Sequence, residues 1–290
     1  MKVRLPFMIV CLSFACALLL SPFLAASAWS ESEGRTPAEK PAPSGVKAAA
    51  PPPPASAVTA WSGLSPQALV ARFRAVAAYQ ADSIPHDYIA LGDSRGYMHV
   101  LRKRGGGFSH SWSTFYLGSP VREIVADDID RDGVVDLIPI TSGGRMFIFD
   151  TNSRRLVWEN TANDFANVSA IVIDQLDTDG ARELVLCADS KLVIMDGERL
   201  LREHESADKF TADYMVVGDV DDDGEKEIVL NSGFVINART LSVEWQTDFF
   251  GVRLTLVDVD GDGVAELVSE SSGGALRIYD LDVRQEKTGY

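Results

Sequence analysis

Short apolar runs separated by polar turns recur along the chain. Val121-Arg-Glu-Ile-Val-Ala126 is one run. Asp136-Leu-Ile-Pro-Ile-Thr141, Met146-Phe-Ile-Phe149 and Leu156-Val-Trp158-Glu follow it. Each run is short, apolar and bounded by turn residues, which predicts a strand. Ser142-Gly-Gly144 and Asn152-Ser153 supply the turns. Together the four runs predict one antiparallel four-stranded sheet.

The plan repeats downstream. Residues 170–173, 183–186, 192–194 and 200–201 form a second set, and 215–217, 228–230, 234–236 and 243–245 a third. Residues 254–257, 267–268 and 276–279 form a fourth, which shows no clear fourth strand before the chain ends. A degenerate set stands in front, at 73–78, 88–91, 97–101 and 111–112. Residues 65–80 also carry helix signals, with Ser65-Pro66 as N-cap and N1 and Leu69, Phe73 and Val76 at helical spacing. Alignment with the other units favours a strand from Phe73. Trp61, Trp112 and Trp158 follow the repeat spacing, so 58–61 reads as another fourth strand, available to complete the last sheet. One such sheet cannot bury both faces, but sheets stacked around an axis bury each other. The expected fold is all-β: a β-propeller of about five four-stranded blades, closed by the N-terminal strand pairing into the last blade. An open array, or a ring completed by a partner, is the alternative.

Between the first and second strand of each unit lies an acidic loop. Asp128, Asp130, Asp132 and Asp136 stand at positions 1, 3, 5 and 9 of the first. Asp219, Asp221, Asp223 and Glu227 take those places in the third loop, and Asp258, Asp260, Asp262 and Glu266 in the fourth. The second loop is weaker: Gln175 stands at position 1, followed by Asp177, Asp179 and Glu183, with Arg182 nearby. Position 6 is glycine in all four, at 133, 180, 224 and 263, with spacings of 47, 44 and 39 residues. Alternating carboxylates around a turn that needs glycine suit Ca²⁺, which takes six to eight oxygen ligands. A single such stretch would read equally well as a solvated acidic turn; four in phase point to the ion. An EF-hand would need Glu at position 12, where Pro139, Leu186, Leu230 and Ser269 stand instead. No His or Cys lies in any loop, which excludes a zinc or redox centre of the usual kind. The first unit has lost the acids, with Gln80-Ala-Asp82-Ser-Ile-Pro85 in their place, and no ion is expected there.

The Asp-x-Asp-x-Asp-Gly-x-x-Asp/Glu loop, flanked by apolar strands and recurring once per unit, resembles the FG-GAP/VCBS repeat family. That family includes the propeller of integrin α-subunits and many exported bacterial proteins. The literal Phe-Gly and Gly-Ala-Pro signature is missing, with Phe250-Gly251 its one echo, so the likeness is to the looser VCBS type. The resemblance implies Ca²⁺ in the loops and a role in adhesion or ligand binding. A fainter likeness, over Gly144 to Trp158, is to blades of pyrroloquinoline-quinone dehydrogenases and outer-membrane assembly propellers.

Composition narrows the function classes. The chain has 290 residues and a formal net charge of −15, which argues against a nucleic-acid partner. Residues 1–28 read as a signal peptide: Lys2 and Arg4 precede an apolar run that ends at Ala26-Ser27-Ala28. An uncleaved membrane anchor is the alternative. Residues 29–56 form a Pro/Ala-rich linker ending in four prolines, and 57–290 the propeller. Export to the periplasm, the cell surface or the medium is therefore expected, with the linker near an envelope or membrane. Cys11 and Cys16 lie in the signal, leaving Cys187 in an apolar strand as a buried structural thiol. His86, His99, His110 and His204 fall in no triad or metal spacing, so no catalytic residue is assigned. The reading is a non-catalytic binding or adhesion module for a protein or glycan. A polysaccharide-acting hydrolase or lyase, or an envelope assembly scaffold, is the alternative. The connectors between units carry Phe115-Tyr116, Phe165, Phe210 and Phe249-Phe250, expected to pack between blades rather than line a binding surface.

Overall fold

The structure is a computed structural model that describes residues 73–81 and 86–287. The signal, the linker, the strand read at 58–61 and the turn at 82–85 lie outside the described residues. The described chain folds into five four-stranded antiparallel sheets, each a meander in chain order. Blade 1 is β1 (Phe73–Ala81), β2 (His86–Asp93), β3 (Met98–Arg104) and β4 (Gly107–Ser113). Blade 2 is β5 (Val121–Asp127), β6 (Asp136–Thr141), β7 (Phe147–Asp150) and β8 (Arg155–Glu159). Blade 3 is β9 (Val168–Asp174), β10 (Glu183–Ala188), β11 (Lys191–Asp196) and β12 (Arg202–Glu205). Blade 4 is β13 (Met215–Gly218), β14 (Glu227–Leu230), β15 (Phe234–Asn237) and β16 (Val243–Gln246). Blade 5 is β17 (Arg253–Val257), β18 (Glu266–Glu270), β19 (Leu276–Asp280) and β20 (Gln285–Lys287).

Burial explains the strand pattern. β6, β10 and β14 are buried at every residue, as expected of strands covered on both faces by neighbouring sheets. β12 is exposed at every residue, marking the rim. Apolar clusters cement successive blades. Met98 and Val100 pack with Leu137, Phe147 and Phe149. Ile138 and Ile148 pack with Leu184 and Val193. Val185 and Leu192 pack with Ile228 and Ile236. Val229 and Val235 pack with Phe250, Leu267 and Tyr279. Burying each of these side chains contributes about 1.5–3 kcal/mol. The fold is a β-propeller. Cys187 is a free, fully buried thiol, and burial raises its pKa. Among the described residues no helix is long and apolar enough to cross a membrane.

Two expected elements are displaced. The fourth strand of blade 3 is the polar run Arg202–Glu205, not 200–201. Leu200 has a positive φ of 56° and lies in the turn, where its amide donates to the Asp196 carbonyl. The last blade also does have a fourth strand of its own, β20. Its Gln-Glu-Lys text carries no apolar signal; it pairs with β19 along the backbone, and Arg277 donates to both oxygens of Glu286 at 2.9 and 2.6 Å. Among the described residues the blade's four strands all come from Arg253–Lys287, and the expected contribution of 58–61 lies outside them.

Candidate metal centres

The acidic loops join strands one and two at one end of blades 2 to 5. Their backbone is set before any ion is considered. Gly133, Gly180, Gly224 and Gly263 all have positive φ, between 85° and 103°, as the turn requires. Position 4 is left-handed as well in three loops, at Arg131, Asp222 and Gly261. The second loop has β-branched Thr178 there, a residue type that resists this conformation, and it does not adopt it.

Side-chain oxygens then organise the turn. The amide of Gly133 donates to Asp128 Oδ2 at 3.0 Å, that of Gly224 to Asp219 Oδ2 at 3.1 Å, and that of Gly263 to Asp258 Oδ2 at 3.1 Å. The acid at position 9 reaches back: Glu227 Oε2 accepts from the Val220 amide at 3.1 Å, Glu266 Oε2 from Val259 at 2.7 Å, and Glu183 Oε2 from Leu176. Each of these carboxylates spends one oxygen on the loop; the second oxygens of Asp258 and Glu266 are taken as well, by the Gly261 amide and by Lys287.

The second oxygens test whether a cation fits. In blade 4, buried Asp219 Oδ1, Asp221 Oδ1 and Glu227 Oε1 have no hydrogen-bond partner. Gln175 Oε1 and Glu183 Oε1 are in the same condition in blade 3, and Asp128 Oδ1 in blade 2. A buried polar atom without a partner costs about 1–3 kcal/mol, so the orphan oxygens that converge in blade 4 could hold a positive ion. Oxygen atoms alone are the donor set that Ca²⁺ takes. Burial, with the charges of Asp221, Glu244 and Asp223, pushes the Glu227 carboxyl up to about 7.

Among the described residues, ligand-type oxygens gather within 4.8 Å of one another in four groups. Asp128, Asp130 and Asp132 form one, and Asp258, Asp260 and Asp262 another. Asp219 and Asp221 gather with Glu227, whereas Asp223 accepts from the Glu225 amide at 2.8 Å and stands outside the group. Asp177 and Asp179 gather with Glu203 rather than with Glu183. Glu203 lies on β12, twenty residues past its loop, so the loop motif gives no sign of it. Asp136 is buried at the start of β6, outside the first group.

The fourth loop differs in its counter-charge. Lys287 Nζ donates to Glu266 Oε1 at 2.5 Å and to Asp260 Oδ2 at 2.7 Å, and lies 3.2 Å from Asp280 Oδ2. Hydrogen bonds to Asp260 and Glu266 raise the ammonium's pKa, and the same ammonium holds the Asp260 carboxyl low. Lysine and arginine also bridge other blades on this end. Arg182 pairs with Asp127 at 2.8 Å, and Lys226 with Asp174 at 2.9 Å.

The fold is shared with solved propellers. The V. cholerae biofilm matrix protein Bap1 is 18% identical, with a TM-score of 0.54 over 74% of this chain and 38% of that one. Saccharomyces cerevisiae Sqt1 is 11% identical, with a TM-score of 0.55 over 73% of this chain and 60% of that one. BamB from Moraxella catarrhalis is 15% identical, with a TM-score of 0.49 over 74% and 63%. The chain thus spans less than two thirds of each. No family model matches it, and no curated protein matches it in sequence.

At the opposite end lie the connectors between blades. Phe165, Phe210 and Phe250 are buried, each within 6 Å of another aromatic ring. Phe115 meets Phe147 edge-on and Phe149 at a tilt. These rings pack between blades, as expected. Tyr116, Tyr214 and Phe249 on the same connectors are instead 55%, 42% and 41% exposed.

One constellation was invisible in the sequence. Ser113 Oγ lies 2.7 Å from both His99 Nδ1 and His110 Nε2, and His99 Nε2 lies 3.4 Å from Asp93 Oδ2. Cross-strand pairing of His99 with Ser113 assembles it. Burial and the nearby His99 lower the His110 pKa.

Proposed function

We propose that this chain is an exported, non-catalytic β-propeller of the FG-GAP/VCBS type, fastened by Ca²⁺, which binds a protein or glycan through its connector end. The two ends divide the work: carboxylates tie strand one to strand two at one end, while the other presents the contact surface. Exposed Tyr116, Tyr214 and Phe249 carry this reading, because aromatic side chains left in water on one end of a rigid scaffold are the usual anchors of a binding surface. The Pro-rich linker at 29–56 would hold that surface away from an envelope layer. Millimolar external Ca²⁺ would populate loops of the affinity common in extracellular modules.

The test is a binding screen of the Ca²⁺-loaded protein against glycans and purified envelope proteins. For a ligand so found, Tyr116→Ala with Phe249→Ala should weaken binding by about tenfold or more, with the melting temperature held. Unchanged affinity in that double variant would place the contact surface elsewhere.

A hydrolytic enzyme is the second reading, favoured only by the Asp93–His99–Ser113 chain. It ranks lower because Ser113 Oγ is held between two imidazoles and the pair that would activate it is buried. A fluorophosphonate probe that labels the wild type but not Ser113→Ala would reverse the ranking.

A further inference from the structure

We propose that the last blade supplies its own cation: the Lys287 ammonium fills the position in loop 258–266 that Ca²⁺ takes in the other loops, so that a divalent ion and the C-terminal strand compete for one site. The inference rests on the Ca²⁺ reading of loops 128–136, 175–183 and 219–227.

Loop 258–266 has the full set of acids, and by sequence it is as good a Ca²⁺ loop as 219–227. The two differ in what their carboxylate oxygens meet. Glu227 Oε1 is buried with no partner, whereas its counterpart Glu266 Oε1 receives Lys287 Nζ at 2.5 Å. Glu183 Oε1 in blade 3 is also without a partner. In blade 5 Asp258, Asp260 and Asp262 are exposed to water, and Glu266 is the buried carboxylate of the loop. Three carboxylates converge on the ammonium, and one of them, Glu266, is only 3% exposed. That geometry is a coordination shell for a monovalent cation, not a lone surface ion pair.

The fourth strand decides which cation each loop meets. Lys287 opposes Ile278 on β19. In the other blades the matching place holds Trp112 opposite Val100, Trp158 opposite Ile148, His204 opposite Ile194 and Trp245 opposite Val235. In blades 3 and 4 the register shifts just before that residue, skipping Glu203 and Glu244. Glu203 joins the Asp177 and Asp179 group, and the charge of Glu244 acts on Glu227. Strand four thus adds a negative charge to the loops of blades 3 and 4 and a positive charge to that of blade 5. A loop given more negative charge calls for an external cation; a loop given an ammonium does not.

The test is calorimetric titration of the full chain with Ca²⁺, comparing wild type with Lys287→Met. The variant should bind one more ion than wild type, and Lys287→Met with Asp258→Asn should return to the wild-type stoichiometry. Equal, non-zero stoichiometry in wild type and Lys287→Met would overturn the inference and leave the Ca²⁺ reading standing. No binding by either protein would overturn both. Should Lys287→Met fail to fold in chelator, recovery in millimolar Ca²⁺ supports the inference and no recovery contradicts it. Hydrogen exchange on the wild type is independent of any variant. Ca²⁺ should slow exchange in loop 219–227 and leave loop 258–266 unchanged; equal protection of both loops would contradict the proposal.

Discussion

Blades 4 and 5 carry nearly the same loop text and solve its charge problem differently. Blade 4 brings Asp219, Asp221 and Glu227 together and leaves a buried oxygen of each without a partner. Blade 5 brings a lysine from its last strand to the equivalent glutamate. Their surroundings differ too. Val220, at position 2 of the blade 4 loop, is 1% exposed, whereas Val259 at the same position in blade 5 is 38% exposed. Val220 packs in the cluster that holds Phe250 and Leu267 of the next blade. The comparison teaches that a repeated acidic motif fixes where negative charge collects; the neighbouring strand fixes what neutralises it.

The largest effect is expected where the two blades join. Phe250 is fully buried between Trp245 of blade 4 and Tyr279 of blade 5, at centroid distances of 5.5 and 5.0 Å. Phe250→Ala should cost ~3–5 kcal/mol in denaturant unfolding. A loss below ~1 kcal/mol would show that the blades are not coupled through this ring.

Next come two matched substitutions with opposite expected signs. In chelator at pH 8, Glu227→Gln should be at least as stable as wild type, because it removes a buried charge that lacks a counter-ion. It should also abolish the Ca²⁺ response of that loop, which in wild type contributes ~2.7 kcal/mol at a hundredfold excess over Kd. Glu266→Gln should lower stability in chelator by ~1.5–3 kcal/mol, since it weakens a charge-assisted hydrogen bond that is already made. Equal signs in the two variants would erase the distinction between the blades.

A pH series sharpens the same contrast. Glu227 has a carboxyl pKa of about 7 in the folded chain, against an ordinary value of 4.5. Between those values the folded state binds the proton that the unfolded state has released. Stability of the Ca²⁺-free protein should therefore fall as pH rises from about 4.5 to 7. Glu227→Gln should flatten that slope, and apparent Ca²⁺ affinity should rise with pH over the same window. Glu286→Ala should have the smallest effect, below ~1 kcal/mol, because its pair with Arg277 is solvent-exposed.

Much of the fold was legible in the sequence because apolar strands and glycine turns obey local rules. The repeat of about 40 to 50 residues placed all four acidic loops between strands one and two, and alignment placed β1 from Phe73. The fourth strands were harder to read. They lie at the rim, where little is buried, and so the apolar signal fades. Arg202–Glu205 carries no apolar residue at all, while nearby Leu200 and Leu201 lie in the turn. β20 was missed for the same reason, and because Lys287 replaces the Trp that marks this place at 112, 158 and 245. Those rim strands also supply the residues that complete or close the loops, Glu203 and Lys287. They come from pairing across the sheet, at a distance along the chain that no loop motif contains. The Asp93, His99, Ser113 and His110 network was hidden likewise, since register alone brings it together.

Thermal unfolding of the wild-type chain in millimolar Ca²⁺ against chelator, at pH 8, tests the central claim most directly. Orphaned carboxylate oxygens at Asp219, Asp221 and Glu227 predict a melting temperature several degrees higher with Ca²⁺, an increment that grows with the logarithm of free Ca²⁺ and shrinks in Glu227→Gln. Superimposable curves with and without the ion would contradict the account.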